Sequence, residues 1–289
     1  MLNSMTKGSV GRVSVLSIGE VRLRPHNIVG NGTPMLWWTF TSRQWTDPLP
    51  VNVVLIEHEQ GWVLWDTGQA PASADSPKEY FPGGFVGAVY ARQVDSTLTP
   101  GQGLGEQLEL AGVPIERLSL AAISHLHYDH AGNISELAAA GIPVLVSESE
   151  HDVLTGKSPH MHGVLAEYLL DAGVQWRPVT FAPSQDPALV DFDGAYDIFG
   201  DGALTLLPTP GHTAGSMSLL VRRGEGRNPL LLVGDATYDP SLIEKAVVPD
   251  VGDRKQQLET LRRFAALRER MPGLQVIAGH DPRAAELVA

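Results

Sequence analysis

The sequence contains no cysteine, and this absence removes several classes of protein at once. A chain without cysteine forms no disulfides and offers no thiolate to a metal ion. Disulfide-stabilised scaffolds and zinc sites built from cysteine are therefore excluded. Any metal ion in this protein has to be held by histidine nitrogens and carboxylate oxygens.

Positive charge is also scarce, with 21 lysines and arginines against 33 aspartates and glutamates and a formal net charge of −12. A surface of this sign repels polyanions, so a neutral small-molecule substrate is expected and a nucleic-acid partner is not. No apolar run approaches the ~20 residues of a membrane-spanning helix, so no membrane association is expected. Residues 1–8 lack the apolar core of a signal peptide, which predicts a cytoplasmic protein.

One short segment concentrates side chains that bind metals. It contains His125, His127, Asp129 and His130 within six residues. In an extended segment alternate side chains point the same way, so the first two histidines can hold one ion from one face. A turn at residues 131–133 would bring the other two side chains to a neighbouring position. The segment therefore predicts half of a two-metal site.

Three further ligand candidates each follow a predicted strand. His212 comes after the strand at 204–207, Asp235 ends an apolar strand that begins at Leu230, and His280 follows the strand at 274–278. Strand ends aim side chains rigidly, so this repeated placement indicates one shared site. The predicted allocation is His125, His127 and His212 on one ion, Asp129, His130 and His280 on the other, and Asp235 bridging both.

These motifs, in this order, resemble the metallo-β-lactamase superfamily. The residues that carry the resemblance lie between residues 50 and 285 and are Asp66-Thr67-Gly68, His125 to His130, Gly211-His212, Gly234-Asp235 and Gly279-His280. The resemblance implies an α+β fold, a four-layer αββα sandwich, formed by one hydrolase domain over residues 1–289. It also implies two divalent metal ions per chain, with zinc expected. The absence of cysteine removes the branches of the superfamily that use a cysteine ligand.

Within the superfamily the chain looks most like the N-acyl-homoserine lactone lactonases. This narrower resemblance rests on Tyr238, three residues after Asp235, and on the ending Gly279-His280-Asp281. It implies hydrolysis of the lactone ring of an acyl-homoserine lactone, which silences a bacterial signal. In that reaction Tyr238 would hydrogen-bond the substrate carbonyl oxygen, and Asp129 would carry a proton to the leaving ring oxygen. The resemblance also allows a homodimer.

Other functions are weighed against this one. An arylesterase or organophosphate triesterase stays open, because bimetal hydrolases of this shape accept several neutral electrophiles. A glyoxalase II-like thioesterase is disfavoured, since that family carries a helical domain after its last metal histidine and only nine residues follow His280 here. A β-lactam hydrolase is disfavoured by Tyr238. A non-catalytic metal-binding protein would be free to lose ligands, yet all seven positions are filled.

Two stretches of the chain, residues 51–66 and 216–235, share the order strand, turn, strand, acid. If two sheets pack face to face, both acids emerge at one edge. Asp66 is then expected to orient ligands by hydrogen bonds rather than to bind metal. Helices are predicted at residues 104–111, 135–140, 163–172 and 255–271, and the last has an apolar stripe with Asp253 as its N-terminal cap.

The remaining features have weaker patterns. Trp37, Trp38 and Phe40 either line an acyl-chain pocket or pack in an N-terminal strand, and the sequence favours neither. Residues 80–85 are rich in proline and glycine, which predicts a loop at the rim of the site. His160 and His162 have the spacing of metal ligands but no accompanying acid, so a surface position is expected.

Overall fold

Two β-sheets form the centre of the fold in a computed structural model that describes residues 9–224 and 226–289. Residues 1–8, for which no signal peptide was predicted, lie outside the described residues, as does Glu225 in the predicted turn at 223–226. The larger sheet has the strand order β4-β1-β2-β3-β5-β6-β7 and the smaller one the order β12-β11-β10-β9-β8. Their bounds are β1 Val10–Leu23, β2 Leu49–His58, β3 Gly61–Trp65, β4 Val94–Thr97, β5 Leu118–Ala122, β6 Pro143–Ser147, β7 Gln175–Val179, β8 Tyr196–Asp197, β9 Leu204–Pro208, β10 Met217–Val221, β11 Leu230–Leu232 and β12 Gln275–Ile277.

Helices cover the outer faces of both sheets. Their bounds are α1 Met35–Thr41, α2 Pro71–Asp75, α3 Pro77–Tyr80, α4 Gly84–Gln93, α5 Leu104–Leu110, α6 Tyr128–Ala131, α7 Ile134–Ala139, α8 Glu148–Leu154, α9 Ala166–Leu170, α10 Arg254–Arg270 and α11 Ala284–Val288. Short 3-10 turns occur at Pro25–Asn27, Ile115–Arg117, Pro159–His162, Pro187–Leu189 and Pro240–Leu242. None of the helices in the described residues combines the length and the apolar character that crossing a bilayer requires.

Three apolar cores separate the four layers. Side chains alternate along each strand, so Val54 and Ile56 of β2 pack against the other sheet while Leu55 packs against the helices of the outer layer. On the far side, α10 buries Leu261 and Phe264 against the smaller sheet. Burying a large apolar side chain stabilises a fold by about 1.5–3 kcal/mol. The αββα sandwich expected from the sequence is confirmed.

Both predicted strand-turn-strand units are present. Strands β2 and β3 pair antiparallel, as do β10 and β11, and the chain leaves each pair at an aspartate, Asp66 and Asp235. Helix α10 also matches its prediction, and its cap forms as expected, with the Gln256 amide donating to Asp253 Oδ1 at 3.0 Å. The predicted helices at 104–111 and 135–140 are found within a residue of their expected bounds.

One predicted helix is shorter than expected, and the strand alternative for the segment of Trp37 and Trp38 does not hold. The helix expected at 163–172 is shorter, because Gly163 takes a left-handed conformation with φ 78° and α9 begins only at Ala166. The segment with Trp37 and Trp38 is helix α1 rather than a strand, and only the second of these indoles is buried. Aromatic residues favour strands only where a sheet offers them a half-buried surface, and none is offered here.

Candidate metal centre

Loops at one edge of the sandwich carry the seven predicted ligands. The segment of His125 and His127 follows β5, and His212, Asp235 and His280 follow β9, β11 and β12. Helix α6 begins directly after His127, so the chain turns earlier than the predicted turn at 131–133. This single helical turn carries Asp129 and His130, and the His130 ring stays beside that of His125, with centroids 4.1 Å apart.

Three histidine nitrogens converge in what we call the first ligand set. His127 Nδ1 lies 3.0 Å from His125 Nε2 and 3.0 Å from His212 Nε2. The three nitrogens all lie within 4.8 Å of one another, the spacing expected around a single ion. The grouping is the one that the sequence predicted.

The second ligand set consists of Asp129, His130 and His280. Its ligand atoms also lie within 4.8 Å of one another, with His280 Nε2 at 3.5 Å from Asp129 Oδ2. Asp235 stands between the sets. Its Oδ1 is 3.2 Å from His130 Nε2, and its Oδ2 is 3.7 Å from His212 Nε2. The carboxylate therefore offers one oxygen to each set.

Hydrogen bonds on the second ring nitrogens orient these imidazoles. His130 Nδ1 donates to Asp66 Oδ2 at 2.9 Å, and His280 Nδ1 donates to the Pro50 carbonyl at 2.9 Å. The Nε2 atom of each ring is thereby aimed at the centre, where a bound metal ion would replace its proton. Asp66 contacts His130 and lies outside both ligand sets, as expected.

Asp66 is itself tightly held. It is fully buried, and its carboxylate accepts hydrogen bonds from the Ser124 amide at 2.6 Å and the Ser124 hydroxyl at 2.9 Å. The same hydroxyl lies 3.0 Å from His125 Nδ1. A buried carboxylate and one serine thus connect both ligand sets.

The chemistry of the donor atoms fits a cation. His130 Nε2, His280 Nε2 and Asp235 Oδ1 are buried and have no hydrogen-bond partner among the described residues. Burying unsatisfied polar atoms is costly, and these three face one another. A cation between them would satisfy all three atoms.

The histidines of the two ligand sets differ in their pKa values. Burial, together with the neighbouring His130 and His127, lowers the pKa of His125 well below its usual value, and burial beside His127 lowers the pKa of His212 to about 3. Burial opposes a charge on His280 as well, but Asp235 and Asp129 raise its pKa to about 10. His125 and His212 therefore present neutral nitrogens.

The second set holds ionised groups. Burial disfavours a charge on His130, yet the carboxylates of Asp235, Asp66 and Asp129 raise its pKa well above the usual value. Burial would also raise the pKa of both Asp129 and Asp235, but His130 and His280 hold the two pKa values below their usual range. Two carboxylates at neutral pH are suited to binding a divalent cation.

Tyr238 lies over the shared carboxylate. Its hydroxyl donates to Asp235 Oδ2 at 2.6 Å, and its ring stacks on His280 with centroids 5.5 Å apart. Burial and the nearby Asp235 raise the pKa of Tyr238 well above 10, so the hydroxyl keeps its proton at neutral pH. The structure thus brings Tyr238 to the ligand sets, with its hydroxyl on Asp235.

A cleft of about 930 Å³ opens above the two sets. Its floor includes His127, Asp129, His212, Asp235 and Tyr238. One wall is apolar and is made by α1 and α4, through Met35, Leu36, Phe85, Val86 and Val89. The cleft can hold a molecule with a polar head at the ligand sets and an apolar tail along the wall.

The structure shows where the residues expected at the rim of the site lie. Trp38 is buried against His26, and the cleft is lined by Met35 and Leu36 of the same helix in place of Trp37 and Phe40. The loop expected at 80–85 is only partly a loop, because Tyr80 ends α3 and Phe85 lies in α4. His160 and His162 lie on a 3-10 turn at the rim and join neither ligand set, as predicted.

The sequence did not reveal two residues that support the site. Ser124 directly precedes His125 in the sequence, but its contact with Asp66 forms only in the tertiary fold. Glu150, buried on α8, accepts hydrogen bonds from the loops of the first ligand set. No motif or spacing signalled its role.

Comparison with known proteins agrees with this architecture. The family model described as metallo-beta-lactamase superfamily matches residues 46–280. The αββα sandwich with its histidine and aspartate edge is thus a metallo-β-lactamase fold, and the chain belongs to that superfamily. A divalent metal cofactor fits both the family and the donor atoms.

Several similar proteins within the superfamily carry the name N-acyl homoserine lactonase. The chain is 30% identical to N-acyl homoserine lactonase AttM of Rhizobium johnstonii, over 94% of each chain. It is 31% identical to an N-acyl homoserine lactonase of a Bacillus species, over 81% of this chain and 82% of that one. A crystal structure of a Bacillus thuringiensis AiiA mutant with N-decanoyl-L-homoserine bound at the active site matches with a TM-score of 0.74 and 23% identity, covering 96% of both chains. The resemblance to lactonases seen in the sequence is confirmed.

Proposed function

We propose that this protein is a dinuclear-metal hydrolase that opens the lactone ring of N-acyl-homoserine lactones and so quenches a bacterial signal. The observation that carries the proposal is the shared carboxylate of Asp235, which lies between two ligand sets at the floor of a cleft with one apolar wall. The names of the similar proteins support the choice of substrate.

We assign the predicted ligands to two divalent ions, one in each set, with Asp235 common to both. Zinc is expected, because nitrogen and carboxylate ligands in four-coordinate sets suit it well. Bound ions would supply Lewis-acid polarisation of the substrate carbonyl and would lower the pKa of a water molecule to the neutral range.

The protein's own side chains complete the chemistry. In ring opening a water oxygen bonds to the carbonyl carbon, the bond from that carbon to the ring oxygen breaks, and the ring oxygen gains a proton. Asp129 lines the cleft and is ionised at neutral pH, so it can accept a proton from the attacking water and pass it to the ring oxygen. Tyr238 keeps its proton and can donate a hydrogen bond to the carbonyl oxygen as negative charge develops there.

The apolar wall suits the acyl chain of such a substrate. Met35, Leu36, Phe85, Val86 and Val89 form a continuous surface beside the ligand sets. Each methylene that this surface removes from water contributes at most about 0.8 kcal/mol to binding. A neutral head and an apolar tail also suit a protein with a net charge of −12.

Relative rates on a panel of substrates test the proposal. The metal-loaded protein is assayed on acyl-homoserine lactones of increasing chain length beside a thioester, an aryl ester, a phosphotriester and a β-lactam. We expect the highest kcat/KM on the lactones. Inert lactones together with efficient turnover of the thioester or triester would overturn the proposed substrate and leave only the superfamily.

Three further predictions from the sequence carry over into the proposal. We propose that residues 1–289 form one domain, that the protein is cytoplasmic and that it forms a homodimer. Sedimentation analysis of the purified chain measures the last of these directly.

A further inference from the structure

The carboxylate of Glu150 lies between two loops that carry the first ligand set. Glu150 is on α8 and is only 1% exposed. Its Oε1 accepts a hydrogen bond at 2.9 Å from the amide of Leu126, the residue between the first two histidines of the set. Its Oε2 accepts from the Thr213 hydroxyl at 2.8 Å and from the Gly215 amide at 3.1 Å, on the loop that follows His212.

We propose that Glu150 is a positioning residue that sets the geometry and the affinity of the first ligand set. The inference rests on the proposed metal site and adds to it a residue that binds no ion itself. The side chain joins the loop of His125 and His127 to the loop of His212. All of its hydrogen bonds among the described residues reach these two loops, and none reaches the second set.

The start of helix α8 fixes the position of Glu150. Ser147 caps this helix, and its hydroxyl accepts from the Glu150 amide at 3.1 Å while donating to the Gly215 carbonyl at 2.5 Å. A β-carbon on Gly215 would lie 2.3 Å from the Glu150 nitrogen, so only glycine allows the loop to pack this closely. The carboxylate is therefore held on a rigid element rather than on a loop.

The contacts require an acid at this position. All three partners of the carboxylate donate hydrogen bonds, and two of them are backbone amides that cannot reverse their role. Glutamine would turn an amide N–H toward one of these donors and leave a buried polar atom unsatisfied. The first set otherwise contains three histidines and a share of Asp235, so a nearby carboxylate also favours a cation there.

The variant Glu150→Gln tests this role, with Glu148→Gln as the matched control. Glu148 lies on the same helix but is exposed, and its carboxylate accepts one hydrogen bond among the described residues, from the Thr180 hydroxyl at 3.2 Å. The affinities of the two ions are measured by chelator competition, and the ligand geometry by the visible spectrum of the Co²⁺-loaded protein. Circular dichroism of the metal-free proteins shows whether each variant folds.

We expect Glu150→Gln to weaken the binding of one ion by about 10–100-fold, the effect typical of losing an outer partner of metal ligands. The affinity of the other ion should stay unchanged, and the Co²⁺ spectrum should shift. Glu148→Gln should match the wild type in all three measurements. A general loss of stability would weaken the binding of both ions rather than of one.

A second pair of variants keeps the test decisive if Glu150→Gln fails to fold. Thr213→Val removes one donor to Glu150 and should weaken the same ion, whereas Thr213→Ser keeps the hydroxyl and should restore wild-type binding. The positioning role alone would be overturned if Glu150→Gln and Glu148→Gln had equal metal affinities and equal Co²⁺ spectra. It would also be overturned if Glu150→Gln weakened the binding of both ions equally. A wild-type protein that binds no divalent ion would overturn the proposed function as well.

Discussion

The histidines of the two ligand sets differ in how their second ring nitrogen is used. Four of them, His125, His127, His130 and His280, engage it in a hydrogen bond. The Nδ1 atom of His212 is buried and has no hydrogen-bond partner among the described residues. The orientation of this ring therefore depends on its loop, which makes the contacts of that loop with Glu150 more important.

His280 allows the metal count to be tested at a single residue. His280→Ala removes one nitrogen from the second set, which leaves Asp129, His130 and the shared Asp235 for that ion. We expect the bound metal to fall from two ions per chain to one, and kcat/KM to fall by at least roughly 10–100-fold. Elemental analysis of the purified variant measures the first effect. His151→Ala is the control, and a His280→Ala protein with two ions and full activity would contradict the assignment.

Tyr238 is the residue whose loss should separate catalysis from metal binding. Tyr238→Phe removes the donated hydrogen bond while keeping the ring stacked on His280. Losing a dedicated oxyanion donor costs on the order of 10²–10³ in kcat, and a bound ion would share this task, so we expect a drop of roughly tenfold to a hundredfold. Both ions should remain. Steady-state kinetics beside Tyr196→Phe checks this, and an unchanged kcat would reduce Tyr238 to a packing residue.

Helix α4 differs from the other α-helices of the described residues because none of its residues is buried. Its apolar side chains instead line the cleft, next to those of α1, and Phe85 stacks against Phe40 of α1 with ring centroids 6.0 Å apart. The pair of helices is therefore held partly by its own contacts, and it offers its remaining apolar surface to whatever occupies the cleft.

This arrangement predicts a chain-length effect in one variant. Phe85→Ala should lower kcat/KM for a decanoyl substrate about fivefold, because it removes contacts worth about 1 kcal/mol with a long acyl chain. A butanoyl substrate ends before these contacts and should be affected less than twofold. The kcat/KM values for both substrates, with Leu110→Ala as a control outside the cleft, measure the difference. Equal losses on the two substrates would show that this wall does not bind the chain.

The sequence predicted those elements whose signals are local. The stripe of Leu261 and Phe264 and the cap at Asp253 predicted α10, and the spacing of His125 to His130 predicted side chains that the structure brings together. The sequence left the role of Trp37, Trp38 and Phe40 open, because the burial of Trp38 depends on its contact with His26, which no local pattern shows. Glu150 was missed for a similar reason. Its role comes from the amides that it reaches, and these lie in other parts of the chain.

At the scale of the whole molecule, two buried histidines make the stability of the metal-free protein fall both above and below a certain pH. His280 has a folded-state pKa of about 10 against 6.5 unfolded, so its contribution is complete below pH 6.5 and is lost as the pH rises toward 10. His212 has a folded-state pKa of about 3, so its contribution is complete above pH 6.5 and is lost as the pH falls toward 3.

The melting temperature of the chelator-treated protein should therefore be highest near pH 6.5. Calorimetric scans from pH 4 to pH 10, a range of roughly three pH units either side of the unperturbed histidine value, measure this. The metal-loaded protein is the control, because bound ions oppose protonation of the imidazoles and its profile should be flatter near neutral pH. A monotonic change of the metal-free melting temperature through pH 6.5 would contradict the assignment of the two opposing groups.

The proposed ligands come from segments that follow β5, β9, β11 and β12, so regions far apart in the chain meet at one edge. Ions bound there would act as reversible cross-links, in a protein whose lack of cysteine denies it covalent ones. Their contribution to stability would grow with metal availability, as for any ligand that binds only the folded state. Metal supply would then govern the lifetime of this protein as well as its activity. A shortage of metal ions would release four loops together and open one edge of the sandwich to proteolysis.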